Sequence, residues 1–297
     1  MADLAELFPG FASHWVATKA GRIFARSGGS GPPLLLLHGF PQTHAEWHRI
    51  AVPLASRFRV VAMDLRGYGW SSAPRSVGGA EYTKRAMAQD AIAVMRELGF
   101  VRFRVAGHDR GARVAYRMAL DHPGVVEKLA ALDIIPTAEM WRGMNAGRAM
   151  QTYHWTFLAQ PAPMPETLLE KAPLEWLDHT LASWTKTKSL AAFDARALAH
   201  YRAFFGDPTR IHACCEDYRA GATIDRALDE ADLAAGRRIA APTLALWGEA
   251  GIPAAGATPL DVWRGWADDV RGKAVDAGHF LPEENPDATL AALMDFL

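Results

Sequence analysis

Phe103-Arg-Val-Ala-Gly-His-Asp-Arg-Gly-Ala-Arg113 is the stretch on which the rest of the chain is organised. Alternating and β-branched apolar residues open it and predict a buried strand. Gly107-His108-Asp109-Arg110-Gly111 then predicts a sharp turn, and Ala112 to Asp121 a helix. A strand, a glycine-flanked turn and a helix are how a nucleophile is lifted onto a strained elbow, with glycines where a neighbouring Cβ would clash. The residue at the apex is Asp109 and not Ser, which shifts the chemistry from attack on a carbonyl to attack on a saturated carbon. The competing reading is an ordinary strand–helix connection in which Asp109 caps the helix. The motif alone does not separate the two.

Working outward, strands and helices alternate. Residues 14–26 predict a hairpin and Leu34–Leu37 a fully apolar strand that runs into His38-Gly39-Phe40-Pro41. An amphipathic helix is expected from about His44 to Ala55, a strand over Arg59–Met63, and a glycine-punctuated loop over Asp64-Leu-Arg-Gly-Tyr-Gly69. Met87, Ala91, Val94 and Leu98 recur at helical spacing before Gly99. Beyond the elbow, Lys128–Asp133 predicts a strand ending in an acid. Residues 137–235 show helical periodicity and no convincing strand. The sheet resumes at Pro242–Trp247, followed by a helix over about Pro259–Val270, a short strand at Ala274-Val275, the loop Asp276–Pro282 and a last helix from Pro286. The expected architecture is a mostly parallel twisted sheet flanked by helices, an α/β core over residues 1–136 and 236–297 with a helical cap at 137–235. In such sheets chemistry collects at the carboxyl ends of the strands, where His38, Asp109 and Asp133 fall.

Composition narrows the function. The chain has 297 residues, half of them hydrophobic, and a net charge of −1, so neither nucleic acid nor an anionic membrane is an expected partner. The apolar run Pro32–Leu37 is too short to span a bilayer and no signal-like segment follows Met1. A cytoplasmic location is expected, with a homodimer admitted as the commonest oligomer. Cys214 and Cys215 are adjacent, which disfavours a structural disulfide between them.

An ester formed on Asp109 needs a general base to hydrolyse it. Gly278-His279, in the loop after the last strand, stands where a strand order of this kind places one. The base needs an acid to orient it. Asp133 is the first candidate and Glu249 the fallback. Arg110 and Arg113, three apart on the first turn of the elbow helix, can face one side and offer a planar fork to a carboxylate. Their alternative is a solvated or salt-bridged helix face.

Together, His38-Gly-Phe-Pro41, Asp64-Leu-Arg-Gly-Tyr-Gly69, Gly107-His-Asp-Arg-Gly-Ala-Arg113, Leu132-Asp-Ile134, Tyr153-His-Trp155, Asp217-Tyr-Arg219 and Gly278-His279 resemble the fluoroacetate (haloacetate) dehalogenases of the α/β-hydrolase superfamily. The resemblance runs through nearly the whole chain. The pairing of Asp109-Arg110 with Arg113 and the tripeptide Tyr153-His-Trp155 are its specific parts. It implies an α/β-hydrolase fold, no cofactor and no metal. It also implies in-line attack of Asp109 on the carbon bearing the halogen of a short 2-halocarboxylate, then ester hydrolysis by a water that His279, oriented by Asp133, activates. The backbone N–H groups of Phe40 and Arg110 would form the oxyanion hole, and Arg110 and Arg113 would bind the carboxylate. His154, Trp155 and Tyr218 would receive the halide, with Trp184 lining the pocket.

Two rivals stay open. An epoxide hydrolase shares the Asp and His but needs acidic hydroxyls in the cap, for which Tyr153 and Tyr218 are candidates. A non-catalytic receptor on the same fold is the other. A serine esterase is excluded, because the elbow has no Ser.

Overall fold

In the computed structural model, which describes residues 4–251 and 258–297, eight strands form a single sheet. They are β1 Ala12–Thr18, β2 Gly21–Gly28, β3 Pro33–Leu37, β4 Arg59–Met63, β5 Phe103–His108, β6 Val126–Leu132, β7 Thr243–Gly248 and β8 Val270–Val275. Their spatial order is β1-β2-β4-β3-β5-β6-β7-β8. β1 and β2 form the antiparallel hairpin expected around Gly21, and β2 is also antiparallel to β4; all later pairings are parallel. β3, all leucine after Pro33, has no exposed face, since helices cover both sides of the sheet centre.

β3 pairs with both β4 and β5, so the strand order reverses between β3 and β5. The carboxyl ends of those two strands splay into a crevice, the place where open α/β sheets put their chemistry. Leu37 of β3 lies opposite Gly107 of β5. That register brings the turn at Gly39-Phe40 against the elbow at Asp109.

The core helices are α1 His48–Leu54, entered through a 3-10 turn at His44–Trp47, α2 Lys84–Glu97 and α3 Asp109–Asp121. Eight more stand between β6 and β7. They are α4 Thr137–Arg142, α5 Ala146–Gln151, α6 Tyr153–Leu158, α7 Met164–Leu169, α8 Pro173–Trp184, α9 Ala195–Phe205, α10 Pro208–Ala222 and α11 Ile224–Ala234. They lie over the carboxyl ends of the strands. α10 packs against α6, α7, α9 and α11 and is buried without a break from Ala213 to Gly221, Cys214 and Cys215 included. Burial pushes both thiols up in pKa, and both are free. After β7 come α12 Pro259–Trp263, α13 Leu281–Glu284 and α14 Pro286–Phe296. Among the described residues, no helix is long and apolar enough to cross a membrane.

The late region differs from the sequence expectation. The helix expected to Val270 stops at Trp263, and Trp263 and Trp266 turn inward to buried positions. The short strand at Ala274-Val275 is a full edge strand, Val270–Val275, paired with β7 along its length. Its burial is mixed, with Arg271 and Lys273 on an open edge, so it lacks the apolar alternation that marks a strand in sequence. The elbow helix starts at Asp109 and not at Ala112.

Candidate active site

The elbow is strained where the sequence expects strain. Asp109 has φ of +41°, a left-handed value costly for a residue with a Cβ. The turn closes only because its flanks lack side chains. A Cβ on Gly111 would lie 2.2 Å from the Leu37 carbonyl oxygen, and one on Gly107 would lie 2.6 Å from the Ala112 backbone. The result lifts the Asp109 carboxylate off the end of β5, where Phe40 N–H donates to its Oδ2 at 3.1 Å. Burial pushes the carboxyl up, but His279, Arg113 and Arg110 outweigh it and hold Asp109 below its ordinary range, ionised.

His279 sits in the loop between β8 and α13. Its backbone N–H donates to the Trp184 carbonyl at 2.9 Å, and its Nδ1 meets Asp133 Oδ2 at 2.6 Å. Asp133, itself left-handed at φ +51°, takes the Gly248 N–H on Oδ1 at 2.9 Å. Both carboxylate oxygens are therefore committed, and the imidazole presents Nε2 outward. Glu249 points elsewhere: its side chain is more than half exposed and faces Lys186. Residues 252–257 of the loop after β7, Pro253 included, lie outside the described residues.

A cavity of about 330 Å3 opens above these groups. Asp109 and His279 form its floor, and His154, Trp155 and Trp184 are among its walls. Trp184 also meets the His279 ring edge-on at 5.4 Å between centroids and lies tilted against His154 at 4.4 Å. Burial drives the His154 pKa down to about 3, so the ring is neutral, and its Nδ1 has no partner among the described residues.

The two arginines lie deeper, behind those rings. The guanidinium carbon of Arg113 is 4.6 Å from the Trp155 ring centre, and that of Arg110 is 4.3 Å from the Tyr218 ring centre. Both are fully buried, yet their circumstances differ. Arg110 grips Asp217 of α10 in a fork, Nε to Oδ2 at 3.2 Å and Nη2 to Oδ1 at 2.6 Å, leaving only Nη1 unpaired. Lys84 and the Tyr68 hydroxyl also reach Asp217. Burial alone would raise the Asp217 carboxyl, but Arg110 and then Lys84 overcome it and hold it far below its ordinary value. Arg113 has no carboxylate at ion-pair distance among the described residues, and feels the Asp109 charge only from further off. Its Nη1 donates to the Ile135 carbonyl (3.0 Å) and Thr137 Oγ1 (3.1 Å), while Nε and Nη2 find no acceptor among the described residues. In the sequence the two guanidinium groups are equivalent. Arg110 already has an internal carboxylate, and Arg113 does not.

Of the hydroxyls considered for an epoxide, Tyr153 is partly exposed and Tyr218 is buried against Arg110. The sequence reading gave no role to Lys84 or to the Asp217 carboxylate, although Asp217 sits beside Tyr218. Nor did it use Glu46 and His108, which meet at 3.2 Å behind the elbow.

The model of the α/β hydrolase fold family matches residues 32–286. The chain belongs to the α/β-hydrolase family. It is 44% identical to a fluoroacetate dehalogenase from a Burkholderia species, covering 98% of this chain and 95% of that one. It is 31% identical to a soluble epoxide hydrolase from Corynebacterium sp. (strain C12), over 95% and 96% of the two chains. A solved structure from Nostoc sp. PCC 7120, assigned to the α/β hydrolases, superposes with a TM-score of 0.94 at 51% identity, covering 97% of this chain and 98% of that one.

Proposed function

We propose that this α/β hydrolase cleaves the carbon–halogen bond of a short 2-haloacetate, fluoroacetate or chloroacetate, giving glycolate and halide. Asp109, ionised at the floor of the cavity, attacks the carbon in line with the departing halide and becomes a carboxymethyl ester. His279, with Nδ1 held by Asp133, takes a proton from water, which attacks the ester carbonyl. The Phe40 N–H, already on Asp109 Oδ2, and the Arg110 backbone N–H stabilise the oxyanion. His154, Trp155 and Tyr218 replace the water that would otherwise hydrate the leaving halide, a demand that is greatest for fluoride.

The observation that carries this reading is the buried guanidinium of Arg113, which among the described residues has two nitrogens lacking an acceptor and no carboxylate at ion-pair distance. Such a cation is costly unless a ligand brings an anion. A 2-haloacetate supplies one on the carbon next to that to be attacked; a neutral epoxide or haloalkane does not. The Nη1 of Arg110 adds a second donor. The similarity to a fluoroacetate dehalogenase over nearly the whole chain supports the same reading.

The test is halide release from matched acid and amide substrates. Fluoroacetate and chloroacetate should turn over and fluoroacetamide should not, with Arg113→Leu losing activity on the acids alone. Comparable rates on the amide, or rapid opening of a simple terminal epoxide, would replace this reading with the epoxide-hydrolase one that the Corynebacterium relative makes the nearest rival.

A further inference from the structure

His108 and Glu46 take no part in the chemistry above, and both are fully buried directly behind it. The His108 Nδ1 lies 3.2 Å from Glu46 Oε2, and its Nε2 lies 2.8 Å from the backbone carbonyl oxygen of His279. Both neighbours are acceptors only. A neutral imidazole carries one N–H, so either tautomer would press a lone pair against an oxygen in a dry interior. Only the imidazolium donates to both. The same Glu46 oxygen, Oε2, also accepts the Gly39 N–H at 3.1 Å, while Oε1 has no partner among the described residues.

We propose that His108 is a standing imidazolium, fixed by Glu46, which positions the base His279 relative to the oxyanion turn at Gly39-Phe40. The pair grips both parts at once. Through Glu46 it holds Gly39, whose neighbour Phe40 donates to Asp109; through Nε2–H it holds the main chain of His279. It thereby sets the gap across which the hydrolytic water must line up with the ester carbonyl. The groups facing His108 are Glu46 from the turn before α1, Asp109 from α3, Asp133 from the end of β6, and the His279 ring, 4.6 Å away between centroids. Burial pushes the His108 pKa down, but Glu46, then Asp109 and Asp133, outweigh it and raise it to about 9. A raised histidine pKa means that the charge is complete below about 6.5 and is lost as pH climbs through about 9.

The kinetic consequence rests on the ester mechanism proposed above; the charge state does not. Both steps use Asp109 and the substrate-binding groups, whereas only the second needs His279 in register. Glu46→Gln should therefore slow ester hydrolysis, on the order of tenfold to a hundredfold for a misplaced group, and leave the first halide release nearly intact. Quenched-flow should then show a halide burst with the carboxymethyl ester accumulating on Asp109. The defect should deepen from pH 6 to pH 8, as the His108 charge is lost without its carboxylate, and Glu46→Asp should restore part of the rate. Independently, nitrogen NMR of histidine-labelled wild type, assigned with His108→Gln, should show both His108 ring nitrogens protonated at pH 8. This requires no active substrate, so it stands even if no haloacetate is turned over. A bare ring nitrogen on His108 in the wild type at pH 8 overturns the proposal. So does a Glu46→Gln enzyme whose burst and steady-state rates keep the wild-type ratio at every pH.

Discussion

On the sheet side of the cavity, Asp133 has both oxygens in hydrogen bonds and Asp109 is held by the Phe40 N–H. On the deep helical side, the His154 Nδ1, the Arg110 Nη1 and the Arg113 Nε and Nη2 have no partner among the described residues. The first wall is complete as folded. The second is arranged so that a ligand completes it. Buried polar groups are ordinarily paired, and a run of unpaired ones beside an ionised nucleophile is the mark of a site that spends stability on recognition. On the proposed reading, attack and hydrolysis belong to the sheet side, and the choice of substrate to the helical side.

The sharpest way to break that division is to remove the sheet-side groups. Asp109→Ala should abolish halide release, a loss on the order of a million-fold if it behaves as other covalent nucleophiles do. His279→Asn should release one halide per site and stop, with a carboxymethyl adduct on Asp109 by intact mass and peptide mapping. A stoichiometric burst from an enzyme recovered unmodified would return the attack to water. The helical side should respond in a graded way. Losing the guanidinium in Arg113→Leu leaves the substrate carboxylate half satisfied, worth roughly 2–5 kcal/mol, or some tens to thousands-fold in kcat/KM. Arg113→Lys should recover little of it, since an ammonium cannot present the fork.

The two arginines sharpen the comparison further. Because Asp217 already neutralises Arg110, Arg110→Leu should cost folding stability as well as activity: it would strand the Asp217 carboxylate with Lys84 and Tyr68 alone. Arg113→Leu should leave the melting temperature close to that of the wild type or above it. Equal destabilisation by both variants would show that the arginines are alike after all. The smallest effect is expected at the halide. Trp155→Phe and Tyr218→Phe each remove one donor, worth about 1.5–3 kcal/mol toward an ion, and should impair fluoroacetate more than bromoacetate. Uniform losses across halogens would assign those rings to packing.

Much of this was legible in the sequence where local chemistry dictates geometry. Glycines at positions 107 and 111 announce the close approach at the elbow, and the unbroken leucines of β3 announce a central strand. Asp133 is the sequence's first candidate for the acid beside His279 because it ends the preceding strand and no Asp stands in the few residues after Gly248; neighbouring parallel strands deliver their carboxyl ends to one line. What stayed hidden depends on contacts between residues far apart in the chain. Nothing near Arg110 foretells that Asp217, 107 positions away, occupies its fork. Glu46 and His108 are likewise separated by 62 positions and by most of two crossovers. β8 escaped because an exposed edge needs no apolar pattern.

The burial of the two cysteines on α10 has a consequence for an enzyme of the proposed kind. Haloacetates are alkylating agents, and the protein group they modify most readily is a thiolate. This chain has two thiols, both sealed from solvent, and burial pushes both well above the range in which a thiolate forms near neutral pH. A catalyst that meets such a reagent at every turnover is thereby left without a cysteine for it to poison. The carboxylate that does react is the one from which His279 can remove the alkyl group.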